Sequence, residues 1–179
     1  DLIHAFKTDK GGIYVGAGLS QSAGLPNWQE LLSELITLAE KVSYKPDATF
    51  INSCKDLLKD PSKFLILAQE LKDFLGDSFR KYIIKRFSDE CPDPTNLHLK
   101  LMSYPYQFLI TTNYDTLLEN AYVKVYGKQA KVHSFKDSAD IAYDLWNNRK
   151  FILKAHGDAN KSLQGIILTE TDYRQVLFH

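Results

Sequence analysis

Short apolar runs that stop abruptly at small or polar residues, separated by stretches of helical periodicity, constrain this chain more than any other feature. Gly12-Ile13-Tyr14-Val15 stops at Gly16-Ala17-Gly18-Leu19-Ser20, and Phe108-Leu109-Ile110-Thr111-Thr112 stops at Asn113-Tyr114-Asp115. Phe151-Ile152-Leu153-Lys154-Ala155 stops in the same way at His156-Gly157-Asp158. Runs this short and this rich in β-branched and aromatic residues read as buried strands, the first entering a tight turn, and Ile166-Ile167-Leu168 reads as a fourth. Strands joined through helices predict an α/β fold, a Rossmann-like, mainly parallel sheet with helices on both faces.

The helical stretches carry their own punctuation. Asn27 followed by Glu30 is a capping box, and Leu31, Leu35, Leu38 and Val42 follow at helical spacing. From about 45 to 102 every signal is helical, with one apolar stripe through Phe64, Leu67, Ala68, Leu71, Phe74 and Leu75 and another through Phe79, Tyr82, Ile83 and Phe87. This stretch is expected to be a helical insertion within one domain covering 1–179. The pairs Arg80-Lys81 and Lys85-Arg86 fit the solvated face of an amphipathic helix. Thr116 with Glu119 predicts a second capping box, and a last helix is expected near Thr171.

Composition excludes several classes of function. The chain has 22 Lys plus Arg against 22 Asp plus Glu, a net charge of zero, so the basic surplus of a duplex nucleic-acid binder is missing. No apolar run approaches the ~18 residues of a membrane-spanning helix, and the start lacks a signal-peptide core. A soluble, cytoplasmic protein that binds neither nucleic acid nor membrane is expected. Two cysteines, Cys54 and Cys91, cannot supply a four-cysteine zinc site, and no metal is expected. His4, His98, His133 and His179 show no metal-ligand spacing and read as structural or surface residues; Tyr104 to Phe108 reads as the lead-in to a core strand. The first residue is not Met and the chain stops inside a helical pattern, so it is expected to be a piece of a longer polypeptide.

In doubly wound sheets ligands bind beyond the carboxyl ends of the strands. Gly16-Ala17-Gly18 would let backbone approach a diphosphate closely, although Gln21 stands where a full GxGxxG fingerprint has its third glycine, and a turn built only for packing explains the glycines equally well. Asn113 points toward the same rim. Asp115, taken alone, reads first as the N-cap of the next helix. His156, with an ordinary pKa near 6.5, suits general-base work.

These residues resemble the sirtuin superfamily. Its first motif is matched by Gly16-Ala17-Gly18-Leu19-Ser20-Gln21-Ser22-Ala23-Gly24-Leu25-Pro26-Asn27-Trp28, its second by Thr111-Thr112-Asn113-Tyr114-Asp115 and its third by His156-Gly157. Trp28-Gln29-Glu30-Leu31, the tyrosine of the second motif and Leu168-Thr169-Glu170-Thr171-Asp172-Tyr173 resemble the sirtuin-like NAD hydrolase domains of bacterial anti-phage defence, the Thoeris-effector type, more than the protein deacylases. Deacylases add a zinc ribbon with four cysteines and carry an arginine in the first motif that is missing here. The resemblance implies an NAD glycohydrolase that releases nicotinamide, with NAD as substrate, Asn113 and His156 catalytic, and Gly16, Ala17, Gly18, Ser20, Thr112 and Asp115 binding NAD. In it Asn113 orients the ribose and water, and Asp115 and Ser20 contact the nicotinamide end. It further implies gating of so toxic an activity by homo-oligomerisation, a regulatory domain or a phage-triggered partner. Protein deacylation, ADP-ribosyl transfer and a non-catalytic nucleotide-sensing module remain as alternatives.

Overall fold

A computed structural model describes residues 11–42, 44, 46–160 and 165–177. His4 and His179 lie outside the described residues. The chain divides into two compact units, one formed by the described parts of Asp1–Leu25 and Lys85–Ile166, the other by Pro26–Ile84 and the described part of Ile167–His179.

The first unit holds a four-stranded parallel sheet in the order β1-β2-β4-β3, with β1 Gly12–Val15, β2 Phe108–Thr111, β3 Val132–Ser134 and β4 Phe151–Lys154. Its helices are α1 Ala17–Gln21, α6 Asn96–Met102, α7 Leu117–Tyr126 and α8 Ser138–Trp146, with a π-helical turn at Lys85–Asp89. The core joins Val15, Leu109 and Ile152 of the sheet to Met102, Leu118, Ala121 and Tyr122 of α6 and α7, and Tyr106 closes it. The sheet is parallel because each crossover carries a helix, which returns the chain to the same edge. This is the Rossmann-like α/β arrangement that the strand and helix alternation implies. Tyr106 confirms the lead-in to β2 as core.

The second unit is helical: α2 Trp28–Lys41, α3 Ala48–Leu57, a 3₁₀ turn at Pro61–Lys63, α4 Phe64–Leu75, α5 Asp77–Ile84 and α9 Glu170–Leu177. Asn27 and Glu30 form the expected capping box, Glu30 N–H on Asn27 Oδ1 at 2.9 Å and Asn27 N–H on Glu30 Oε2 at 2.8 Å. Leu31, Leu32, Leu35, Ile36 and Ala39 bury one face of α2, and Phe64, Leu67, Ala68, Leu71 and Leu75 bury the matching stripe of α4. Tyr82 donates to Glu34. Lys72 binds Asp172 at 2.7 Å, fastening α9 to α4. Arg80, Lys81 and Lys85 are exposed as expected for a solvated face, while Arg86 is half-buried and donates to the Gly24 carbonyl at 3.3 Å.

Four expectations need correction. Ile166-Ile167-Leu168 is buried but joins no ladder among the described residues; a short apolar run is equally compatible with strand and with packed irregular chain. The fourth strand is instead β3, only three residues long and carrying His133 and Ser134, too short and polar to signal itself. β1 is an edge strand in which only Val15 is buried and Tyr14 is exposed. It is followed directly by α1, not by a separate turn. Thr116 makes no side-chain cap on α7, and the Glu119 carboxylate, the other half of the expected box, binds Lys154 at 2.6 Å instead.

Candidate functional site

The register of the sheet aligns the ends of three strands. Val15 pairs with Thr111 and Thr111 with Lys154, so Gly16 follows one paired position directly, while Asn113 and His156 each stand two residues beyond theirs. Adjacent strands lie ~4.8 Å apart, and the pairing runs one step past β4, with Ala155 N–H on the Thr111 carbonyl at 2.8 Å. The three polar clusters read from the sequence thus emerge side by side at one sheet edge, the carboxyl edge where α/β folds place ligands.

Asn113 is the centre of the arrangement. It is 8% exposed, and its backbone N–H is held by Thr111 Oγ1 at 3.0 Å. Its Nδ2 donates to the Gly16 carbonyl at 3.1 Å and to Ser20 Oγ at 2.7 Å, tying the end of β2 to the end of β1 and the start of α1. Ser20 donates in turn to Asp115 Oδ2 at 2.7 Å, and Asp115 Oδ1 caps α7 by accepting from Leu117 N–H at 3.0 Å. Ser20 and Asp115 are both buried. Asn113 Oδ1 is buried and finds no donor among the described residues. Such an atom costs about 1–3 kcal/mol to leave unsatisfied, which a ligand hydroxyl or a water would recover.

The remaining candidate residues surround this centre. Gly16 is the N-cap of α1 in extended geometry, and neither it nor Gly18 has positive φ. A Cβ built on Gly18 meets nothing within 4 Å, so packing and backbone conformation leave this glycine unexplained and a ligand approaching the chain would explain it. Ala17 and Gly18 are exposed, and Thr112 is half-buried with its Oγ1 3.5 Å from the Tyr14 hydroxyl. His156 is half-buried, and that burial pushes its pKa below 6.5, favouring the neutral imidazole. The next residue, Gly157, has φ +89°, and a Cβ there would stand 2.2 Å from the Gly165 carbonyl oxygen. Only glycine fits, which fixes the path of the chain leaving His156.

Beneath the edge lies a cluster that the sequence reading missed. Lys154, the last residue of β4, is fully buried. It binds Glu119 Oε1 at 2.6 Å, Asp158 Oδ1 at 3.0 Å and the Asp115 carbonyl at 2.6 Å. Desolvation works against its charge, but the two carboxylates outweigh it and hold its pKa above the ordinary lysine value. Burial pushes Glu119 upward against the pull of Lys154, and Glu119 Oε2 has no donor among the described residues. The signal was present: a lysine inside an apolar run that is otherwise a buried strand must carry its own counter-charges.

The other titratable groups are structural. His98 accepts from Thr95 N–H at 3.2 Å and is buried, with its pKa lowered by desolvation. His133 lies 2.6 Å from Asp144, which also receives Lys131, and joins β3 to α8. Cys54 and Cys91 are free, and burial pushes the Cys54 thiol up to about 11. Among the described residues no group of three metal-ligating side chains forms, and no helix is long and apolar enough to cross a membrane.

A SIR2-like domain model matches residues 107–179, which takes in the second and third motifs. Defense-associated sirtuin 2 of Bacillus subtilis is 28% identical over 180 residues, covering 97% of this chain and 16% of that protein. The NAD(+) hydrolase ThsA of Enterococcus faecium is 28% identical over 174 residues, covering 96% of this chain and 32% of its own length. A ThsA of Acinetobacter baumannii (strain 532279) is 27% identical over 183 residues, 99% of this chain and 33% of that protein. The chain therefore spans between about a sixth and a third of the curated relatives it matches.

Proposed function

We propose that this sirtuin-like chain hydrolyses NAD, breaking the bond between the nicotinamide nitrogen and the ribose to give nicotinamide and ADP-ribose, and that the protein carrying it acts in anti-phage defence by draining cytoplasmic NAD. The observation that carries the reading is the buried, unpartnered Oδ1 of Asn113, held at the same strand edge as a neutral His156. Hydrolysis needs an acceptor to orient a ribose hydroxyl or the water, and a base to take the proton that water gives up. Asn113 supplies the first and His156 the second. Gly16, Ala17, Gly18 and Thr112 line the approach of the diphosphate and ribose, where the open space at Gly18 leaves room. The names of the relatives, two NAD(+) hydrolases and a defence-associated sirtuin, support the substrate and the setting. No metal takes part in this scheme.

The activity is gated by assembly into a homo-oligomer or by a regulatory domain or phage-triggered partner, since free hydrolysis would starve the host. The test is nicotinamide release from NAD by the longest natural form, with no peptide added, beside Asn113→Ala and His156→Ala. Both variants are expected to lose at least about thirtyfold in rate, roughly 2 kcal/mol of transition-state stabilisation. Nicotinamide release that requires an acyl-lysine peptide would replace hydrolysis with deacylation.

A further inference from the structure

The amide of Asn113 is held by a chain of hydrogen bonds whose direction is unambiguous. A backbone carbonyl only accepts, so the amide atom facing Gly16 at 3.1 Å is Nδ2. A carboxylate only accepts, so the Ser20 hydroxyl gives its single proton to Asp115 Oδ2 and must receive one from Nδ2. Asp115 is itself oriented, because Oδ1 takes the Leu117 N–H at 3.0 Å. Both amide hydrogens of Asn113 are thereby used, and Oδ1 is the only part of the group left to meet a ligand.

We propose that Asp115, acting through Ser20, is a positioning residue that sets the polarity of Asn113, so that the asparagine meets substrate as an acceptor and never as a donor. Ser20 and Asp115, buried and bonded to one another, then serve the site through Asn113. The consequence for catalysis rests on the NAD hydrolase reading; the hydrogen-bond chain does not.

Asp115→Asn separates this role from a merely structural one. The new amide keeps its oxygen on Leu117 N–H and preserves the cap, which turns its NH₂ toward Ser20. The hydroxyl must now accept from residue 115, and its proton points at Asn113. That favours the flipped amide, with Nδ2 presented to substrate and Oδ1 set against the Gly16 carbonyl. Ser20→Ala removes the relay and leaves the cap of α7 untouched, so it serves if Asp115→Asn does not fold.

In steady-state nicotinamide release by the longest natural form, Asp115→Asn is expected to lower kcat by roughly a hundredfold, and Ser20→Ala by about tenfold, with KM within about threefold of wild type. A raised KM with kcat intact would make these residues direct substrate contacts and overturn the proposal, as would wild-type rates in both variants. An inactive wild type would refute the hydrolase reading alone. The polarity is then decided by the ¹⁵N-labelled side-chain amide of Asn113 without NAD. Slow exchange of both its hydrogens in wild type, with loss of that protection in Asp115→Asn and Ser20→Ala, is the expected result. Exchange in wild type as fast as that of an exposed asparagine would sink the proposal.

Discussion

Lys154→Met is the perturbation that most directly tests how the strand edge is held. The lysine has 1% side-chain exposure and its partners Glu119 and Asp158 have 14% and 8%, so its removal strands two carboxylates that water reaches poorly. Methionine fills nearly the same volume, which keeps the cavity contribution small. What remains is the electrostatic part, and breaking a buried pair by deleting one partner costs about 3–5 kcal/mol. The lost bond to the Asp115 carbonyl at 2.6 Å adds to it. For a domain of ordinary stability, about 5–15 kcal/mol, this is at least about a fifth of the total.

The assay is urea unfolding of the variant and the wild type at neutral pH and near pH 4.5. Without the cation the burial that already holds the pKa of Glu119 above its ordinary value loses its main opponent, and that pKa rises further. Such a group gives its full stability below the unfolded pKa and loses it as pH rises through the folded one. The defect of Lys154→Met must therefore be largest at neutral pH and shrink toward pH 4.5, and a second substitution, Glu119→Leu, must restore part of it. A loss under about 1 kcal/mol at neutral pH, within the range of a surface pair, would refute the reasoning, as would a defect that grows on acidification.

Other perturbations separate the roles of neighbouring residues. Gly18→Ala should leave the fold intact or raise stability by up to about 1 kcal/mol, since the residue is helical and its Cβ would enter open space; equilibrium binding should nonetheless show weakened NAD affinity. Gly157→Ala should destabilise strongly in thermal melts, because φ is +89° and the Cβ would meet the Gly165 carbonyl at 2.2 Å. The acid limb of kcat/KM should fall below pH 6.5 and vanish in His156→Gln, because burial holds the imidazole neutral until the pH drops under its ordinary value. Burial opposes ionisation of Asp172, but bonds from Lys72 and Thr169 outweigh it and hold its pKa below 3.8. Its stabilisation is thus present at neutral pH and lost as pH falls through that lowered value, and Asp172→Ala should cost about 1–2 kcal/mol at pH 7 by denaturant unfolding.

What the sequence made legible follows the strength of its local signals. Asn27 and Glu30 announce α2 because a capping box is a contiguous pattern with its own chemistry. The stripes of α4 and α5 declare themselves by period. β3 could not, since three residues carry no period and its place beside β4 is fixed by His133 and Lys131 meeting Asp144 from α8. Thr116 and Glu119 have the right spacing for a cap, yet the carboxylate is drawn to a buried lysine 35 positions further on, and no local pattern records that attraction. The candidate residues were visible as types at strand ends. Their hydrogen bonds were not, because Ser20 and Asp115 meet across 95 positions of chain.

The geometry of Asn113 also restricts what this edge can bind. An acceptor whose neighbours consume both amide hydrogens repels another acceptor, so a phosphate oxygen or carboxylate cannot sit against Oδ1; the partner must bring a proton. In NAD the groups that qualify are the ribose hydroxyls and the carboxamide, together with a bound water. In the proposed scheme the diphosphate then lies elsewhere, and the adjacent strand end, where a Cβ on Gly18 would meet nothing within 4 Å, leaves room for it. On the proposed reading two adjacent strands divide the ligand by chemistry, with anionic atoms over the end of β1 and a protonated hydroxyl or water over the end of β2. His156 at the end of β4 stands on the far side of Asn113 from Gly16, so in the proposed scheme a proton leaving the group that Asn113 orients has its base one strand away. In the proposed scheme this order places the hydrolysed bond over β2 and β4 and makes Asn113→Asp a severe lesion. A carboxylate there would face the Gly16 carbonyl and carry negative charge to the place where only a proton donor is accepted.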